Sequence, residues 1–136
     1  MTPAREAVRR MLALGTDGTG GAIVNMSSMA APLGAANEFV DYAASKGAVE
    51  SMTLGLAREV AAKGIRVNAI APGLFGTPMV MSLPDNVIAN LEASVEAPKR
   101  VGRMEEFAHC CAFLIENSYM NGETVRLDAA TRLQAR

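Results

Sequence analysis

Three groups of residues in this sequence have types and spacing suited to chemistry at an oxygen atom. Tyr42 and Lys46 are four residues apart, Ser28 stands in a serine pair upstream of them, and Pro72-Gly73 follow downstream. Residues four apart share one face of a helix, with Cβ atoms about 6 Å apart, which would put the ammonium beside the phenol. A free phenol titrates near ~10 and is a poor base at neutral pH, whereas a neighbouring cation favours the phenolate and assists proton transfer. A serine hydroxyl can hydrogen-bond the substrate oxygen that would exchange a proton with the phenol. The three residues together therefore predict proton transfer at a substrate oxygen.

The serine pair follows a segment that predicts a buried strand. Residues 22–26 form a short, nearly continuous apolar run, typical of a strand that is covered on both faces of a parallel sheet. Ser27 and Ser28 therefore stand at the carboxyl end of a strand, where the crevice of such a sheet opens and catalytic residues often lie.

A helix is predicted over residues 41–63, and it carries the tyrosine and the lysine in its first turns. Asp41 is its predicted N-cap, Asn37 would cap an earlier start, and Gly64 closes it. One face of this helix carries small residues that permit close packing. That face packs either on the chain's own sheet or against another subunit, and both alternatives stay open; its members are Ala44, Gly47, Ala48, Ser51 and Gly55.

The rest of the chain adds further helices and strands around this unit. A second strand is predicted over residues 65–71, a helix over 105–116 and a third strand over 124–127, after an amphipathic N-terminal helix. Residues 74–98, with a helical patch over 87–95, form the kind of excursion that covers a ligand site. The glycine-rich stretch 15–21 follows a helix and opens a strand, the reverse of a phosphate-binding loop, so a plain connection is predicted. This order predicts an α/β fold with three parallel strands.

The composition narrows the class of protein. With 136 residues, half of them hydrophobic and 4% aromatic, the chain predicts one domain with an aliphatic core. A net charge of −1 does not point to nucleic acid as a partner, and no apolar run approaches the ~20 residues of a membrane span. His109 has no second ligand nearby in the sequence, so no metal site is predicted.

The cysteines bear on the cellular compartment. Cys110 and Cys111 are adjacent and cannot join distant parts of the chain, which is typical of a protein in a reducing compartment. We therefore expect a cytoplasmic location. Three arginines near the N-terminus leave a mitochondrial transit peptide as the alternative, although Glu6 and the missing serine enrichment argue against it.

The ordered set of Ser28, Tyr42-x-x-x-Lys46 and Pro72-Gly73 resembles the short-chain dehydrogenase/reductase family. Members of that family transfer hydride between NAD or NADP and a secondary alcohol or ketone, so the resemblance implies a small-molecule substrate of that kind. It implies that Ser28, Tyr42 and Lys46 are catalytic, with the lysine also holding the nicotinamide ribose. The cofactor-binding residues that it implies are Tyr42, Lys46, Pro72, Gly73, Phe75 and Thr77.

The resemblance extends over the whole chain but only over the later half of a family member. We expect a single partial domain over residues 1–136, the catalytic and substrate-loop half, folded as a partial Rossmann-type doubly wound parallel sheet without its N-terminal strands. The front, through Asn68, is similar to bacterial sugar-dehydrogenase-like members. The remainder is similar to short-chain 3-hydroxyacyl-CoA and 17β-hydroxysteroid dehydrogenases, with Ala129 where these usually have glycine. The family's glycine-rich strand–turn–helix and its catalytic asparagine are not among these residues, so Met1 is expected to be a cut.

Two functions therefore have to be compared. The first is an oxidoreductase of the family, present as an N-terminally incomplete chain. The second is a catalytically inactive α/β fragment that pairs with itself or with a full-length relative, since an open edge on the strand 22–26 would invite pairing. A homo-oligomer is expected in either case, formed through the Tyr42–Lys63 helix or through the open sheet edge.

Overall fold

The computed structural model of the protein describes residues 3–14, 20–32 and 40–131. The described chain alternates helices and strands, and its three strands form one parallel sheet in the order β1-β2-β3. The predicted α/β fold with three parallel strands is confirmed. The elements in chain order are α1 (Pro3–Ala13), β1 (Gly21–Met26), α2 (Val40–Val60), β2 (Ile65–Pro72), α3 (Pro78–Met81), α4 (Asp85–Ala93), α5 (Met104–Glu116) and β3 (Thr124–Leu127).

Helix α2 begins one residue earlier than the sequence predicted. Since it starts at Val40, Asp41 lies inside the first turn and is not the cap; its carboxylate accepts a hydrogen bond from the Tyr42 amide at 2.9 Å. Asn37 and most of the glycine-rich stretch, residues 15–19, lie outside the described residues. At the other end, Gly64 closes the helical segment as predicted, because its φ of 70° is in the left-handed region that favours glycine.

The core lies between the sheet and the helices α1 and α2. Alternate residues of a strand point to opposite faces, so Ile65 and Val67 of β2 face one layer and Arg66 faces the other. Ile65 and Val67 form the centre of an apolar cluster with Ala57 and Val60 of α2. Partly buried side chains of α1, β1 and α2 complete this cluster; they are Val8, Met11, Leu12, Ile23 and Leu56.

Helix α5 covers the other face of the sheet, where it contacts β1 and β2. The Arg66 guanidinium donates to backbone carbonyls that follow or end this helix, at 2.6–3.0 Å. A cation at a helix C-terminus satisfies carbonyls that have no partner within the helix, so this side chain fixes α5 on β2. The accepting carbonyls belong to Leu114, Ile115, Asn117 and Met120. Within the described residues, every helix is too short or too polar to span a bilayer.

Candidate active site

Ser28 stands in a tight turn just beyond the end of β1. Parallel pairing continues past the strand, since the Ser27 amide donates to the Ile70 carbonyl at 2.8 Å and the Met29 amide to the Pro72 carbonyl at 3.0 Å. The Ser28 hydroxyl accepts from the Ala30 amide at 3.2 Å. The strand therefore delivers this hydroxyl to the carboxyl edge of the sheet, as the sequence predicted.

Tyr42 and Lys46 lie one turn apart at the start of α2. The Lys46 ammonium is 5.6 Å from the centroid of the Tyr42 ring, within the range of a cation–π contact. The same ammonium donates to the Met26 carbonyl at 3.1 Å. Lys46 thus connects the end of β1 to α2 and lies beside the Tyr42 ring. The Tyr42 side chain is partly exposed to solvent.

Pro72 and Gly73 form the next wall of the site. Strand β2 extends through Pro72, one residue beyond the prediction, and the Gly73 amide donates to the Leu127 carbonyl of β3 at 2.9 Å. A Cβ added to Gly73 would come within 2.8 Å of the Cα and Cβ of Asp128. Only glycine permits this close approach between the ends of β2 and β3.

A cleft of about 240 Å³ brings these groups together. Its lining includes Ser28 and Tyr42, with Pro72 and Gly73 forming another part of the wall. Lys46 does not line the cleft but supports the tyrosine that does. The remaining lining residues are Met29, Ala30 and Leu74, which make the cleft apolar apart from the two hydroxyl groups.

Phe75 and Thr77, the other two predicted cofactor residues, lie outside the lining of this cleft. Phe75 packs edge-on against Phe107, with ring centroids 5.8 Å apart, and closely over Gly102. The Thr77 hydroxyl accepts from the Val80 amide at 3.3 Å and caps α3. Both residues hold the excursion after β2 in place, and their contact with a cofactor stays a prediction.

A larger cavity, of about 470 Å³, lies on the other side of Leu74. It is lined by α5, the end of β3 and the loop around Arg100, whose guanidinium binds the Glu106 carboxylate at 2.6–2.9 Å. This ion pair lowers the pKa of Glu106 to about 2. Neither Ser28 nor Tyr42 lines this cavity, whereas both line the smaller cleft.

The structure also reveals a contact that the sequence did not predict. Ser27, the first residue of the serine pair, is buried, and its hydroxyl donates to the Glu50 carboxylate of α2 at 2.8 Å. The alternation of a strand could have separated the roles of Ser27 and Ser28, but nothing in the sequence pairs Ser27 with a residue 23 positions away. In the same described segments, no group of three or more His, Cys, Asp or Glu side chains could hold a metal ion.

A family profile and two known proteins match most of this chain. Residues 3–129 match the sequence profile of a family described as enoyl-(acyl carrier protein) reductase. The 3-hydroxyacyl-CoA dehydrogenase type-2 of Bos taurus is 49% identical over 117 residues, which make up 86% of this chain and 44% of the relative. A 3alpha-hydroxysteroid dehydrogenase of Mediterraneibacter gnavus is 44% identical over 115 residues, 83% of this chain and 45% of the relative.

The fold agrees with that of a solved relative. The crystal structure of a 3-hydroxyacyl-CoA dehydrogenase type-2 from Mycobacterium avium matches with a TM-score of 0.82 and 40% identity, over 89% of this chain and 46% of that chain. The chain thus spans about half the length of the relatives it matches. Similarity to 3-hydroxyacyl-CoA dehydrogenases was predicted only for the residues after Asn68. The match covers 117 residues and therefore also includes residues before Asn68.

Proposed function

The chain belongs to the short-chain dehydrogenase/reductase family, and we propose that it serves hydride transfer between NAD or NADP and a secondary alcohol or ketone. The observation that carries this proposal is the cleft that both Ser28 and Tyr42 line, with Lys46 beside the Tyr42 ring. Residues 1–136 would form a single partial domain, the catalytic and substrate-loop half of such an enzyme.

We assign to Ser28, Tyr42 and Lys46 the roles that the family resemblance implies. In alcohol oxidation, the phenolate oxygen of Tyr42 accepts the hydroxyl proton of the substrate, and in ketone reduction the phenol returns it. The Ser28 hydroxyl hydrogen-bonds the same substrate oxygen and orients it toward the tyrosine. The Lys46 ammonium, 5.6 Å from the centroid of the Tyr42 ring, places a positive charge beside the phenol. NAD or NADP, when bound, supplies the hydride donor or acceptor.

The residues of the cleft fit the nicotinamide end of such a cofactor. Gly73 presents only backbone to the cleft, and Met29, Ala30 and Leu74 add apolar surface, which suits a flat ring that has one amide. Tyr42 and Lys46 would hold the adjoining ribose by their polar ends. Pro72, Gly73, Phe75 and Thr77 would hold the ring and its amide, and Thr77 would have to share the hydroxyl that now caps α3.

The substrate class follows from the cleft and from the relatives together. The names of the relatives specify a 3-hydroxyacyl-CoA and a 3α-hydroxysteroid, and in both compounds the hydroxyl is a secondary alcohol on an apolar part of the molecule, the acyl chain or the steroid ring system. The apolar lining beside the two hydroxyls supports the same class of small-molecule substrate here. Suitable test substrates are therefore a 3-ketoacyl thioester and a 3-ketosteroid.

The first experiment is a titration of the purified chain with NADH, followed by cofactor fluorescence. We expect saturable binding that Lys46→Ala abolishes, since Lys46 would hold the ribose. Lys63→Ala is the matched control, because this exposed lysine ends the same helical segment far from the cleft. Equal binding by both variants, or none by the parent chain at millimolar NADH, would count against the proposal.

Turnover tests the proton step directly. If the chain reduces either test ketone with NADH, Tyr42→Phe should lower the rate about 100-fold or more, the usual contribution of a positioned acid or base. The phenylalanine keeps the ring that packs near Lys46 and removes only the hydroxyl. A variant that retains more than a tenth of the parent rate would refute the assignment of Tyr42.

The alternative function is an inactive α/β fragment that acts by pairing with itself or with a full-length relative. Two surfaces support pairing, and both also support a homo-oligomer of an active protein. The outer edge of β1 has no neighbouring strand among the described residues. The small-residue face of α2 does not pack on the described sheet, since a Cβ added at Gly47 or Gly55 would meet nothing within 4 Å there. A monomer at all concentrations in a sedimentation experiment would count against contacts between chains through either surface.

We place the protein in the cytoplasm, with mitochondria as the alternative. Cys110 and Cys111 support a reducing compartment, because both are free thiols in the described structure. Burial raises the pKa of both thiols, which keeps them protonated and poorly reactive at neutral pH.

A further inference from the structure

Strand β1 and helix α2 are connected by polar contacts at successive levels. Alternate residues of the strand face the helix: the Asn25 amide donates to the Thr53 hydroxyl at 3.2 Å, and the Ser27 hydroxyl donates to the Glu50 carboxylate at 2.8 Å. Two residues advance a strand by about 6.7 Å, and the three residues from Glu50 to Thr53 advance a helix by about 4.5 Å. The two contacts therefore lie at successive positions along both elements and fix the position of α2 along β1.

Ser27 is the last of these contacts before the active site. It is 2% exposed, its amide is bound to the Ile70 carbonyl of β2, and its hydroxyl also lies 3.2 Å from the Lys46 carbonyl. The residue is thus held by β2 on one side and by α2 on the other. Ser28 follows it directly in the chain, and Tyr42 stands one helical turn before Lys46.

We propose that Ser27 and Glu50 are positioning residues, which set where the Ser28 hydroxyl stands relative to the Tyr42 phenol. This inference rests on the proposed function for its catalytic consequence, although the geometric part does not need turnover. Neither Ser27 nor Glu50 lines the cleft, so neither touches the substrate. Their contact acts through the backbone that joins Ser27 to Ser28 and through the helix turn that joins Glu50 to Lys46.

Kinetics test the catalytic consequence. Ser27→Ala and Glu50→Leu should each lower kcat about tenfold while KM changes less than about twofold, since a small misplacement of catalytic groups slows the chemical step. Glu50→Gln should recover at least half of the parent kcat, because its amide oxygen can still accept from Ser27. The double variant Ser27→Ala/Glu50→Leu should be no slower than the slower single variant. Glu59→Leu, an exposed position on the same helix, is the matched control.

Nuclear magnetic resonance tests the geometry without turnover. The chain has two tyrosines and no tryptophan, and Tyr119 is 98% exposed, so a Tyr119→Phe background leaves the Tyr42 ring as the single tyrosine signal. In that background, Ser27→Ala and Glu50→Leu should shift the Tyr42 ring resonance in the same direction. Glu50→Gln and Glu59→Leu should leave it within the line width.

The outcomes separate this inference from the proposed function. An unmoved Tyr42 resonance in Ser27→Ala and Glu50→Leu would overturn the positioning role, whatever the activity. A moved resonance in a chain that shows no turnover dependent on Tyr42 would uphold the positioning role and overturn the proposed function. If turnover depends on Tyr42 but Ser27→Ala keeps more than half of kcat, the catalytic consequence is wrong.

Discussion

Replacing Gly73 with alanine should force apart the ends of β2 and β3 at the wall of the cleft. The added Cβ would stand 2.8 Å from the Cα and Cβ of Asp128 and 3.3 Å from the Met29 sulfur. Carbon atoms in good contact are about 3.5–4.0 Å apart, so the backbone at Asp128 would have to retreat by about 1 Å. It cannot do so freely, because the Leu127 carbonyl binds the Gly73 amide and Arg126 binds the Asp128 carboxylate.

The expected cost follows from two opposing contributions. Overpacking costs about 1–3 kcal/mol, and the less flexible unfolded chain of an alanine variant returns about 0.4–1 kcal/mol. The free energy of unfolding should therefore fall by about 1–2 kcal/mol, measured by urea denaturation with circular dichroism. The fluorescence titration with NADH should weaken in the same variant, because the displaced wall belongs to the cleft.

A second glycine on the same loop provides the control. A Cβ added to Gly76 would meet only Met81 and Val101 side-chain atoms at 3.5 Å and the Gly102 carbonyl at 3.6 Å, which is ordinary contact. Gly76→Ala should therefore raise the free energy of unfolding by about 0.4–1 kcal/mol, the gain from the less flexible unfolded chain without the clash. Equal stability of Gly73→Ala and Gly76→Ala would refute the close approach of Gly73 to Asp128 and, with it, the shape of the wall.

Two further predictions concern the backbone after β3 and the loop beside the larger cavity. Ala129 has a φ of 48°, a left-handed conformation that costs a non-glycine residue about 1–2 kcal/mol, so Ala129→Gly should raise the free energy of unfolding by about 0.5–1 kcal/mol. The same change at Ala48 on α2 should lower it by about 1 kcal/mol; a loss of equal size at both positions would refute the φ argument. Hydrogen bonds from Arg100 and, second, from the Arg103 amide lower the pKa of Glu106 from 4.5 to about 2, so the stability that the ionised carboxylate contributes is present above about pH 4.5 and is lost as the pH falls through 2. Glu106→Gln should reduce the dependence of the melting temperature on pH between about pH 4.5 and 2. An unchanged dependence on pH in this variant would show that the ion pair does not form in solution. Glu6, whose pKa is also about 2, contributes a separate part of the loss of stability in acid.

The part of the site that could be predicted from the sequence depends on local patterns. The apolar run before the serine pair, and the tyrosine and lysine one turn apart, place Ser28 and Tyr42 on elements whose ends share one sheet edge. The errors arose at boundaries: α2 begins at Val40, which moves Asp41 into the helix, and β2 continues through Pro72. Such boundaries depend on tertiary contacts as much as on residue preference.

Contacts between distant segments could not be predicted. Ser27 meets Glu50 only because of the height at which α2 lies on β1. Likewise, the half-buried Arg66 near the start of the largely apolar strand β2 is accommodated because carbonyls of residues 48–54 positions later in the chain accept hydrogen bonds from it. A single sequence shows the presence of such residues but not their partners.

The residues around the cleft are held by two parts of the molecule, the unit formed by β1, α2 and β2 and the excursion after Leu74. Ser28 is placed by β1 and β2, and Tyr42 and Lys46 are placed by α2, so the relative position of these three side chains is set within the central strand–helix–strand unit. The excursion after Leu74 is attached elsewhere, because Phe75 packs on Gly102 and on Phe107 of α5. The two parts share the backbone at Gly73 and Leu74 and the contacts of α5 with β1 and β2, so under the proposed function we expect substitutions in the excursion to alter which substrate fits more than they displace Ser28 and Tyr42.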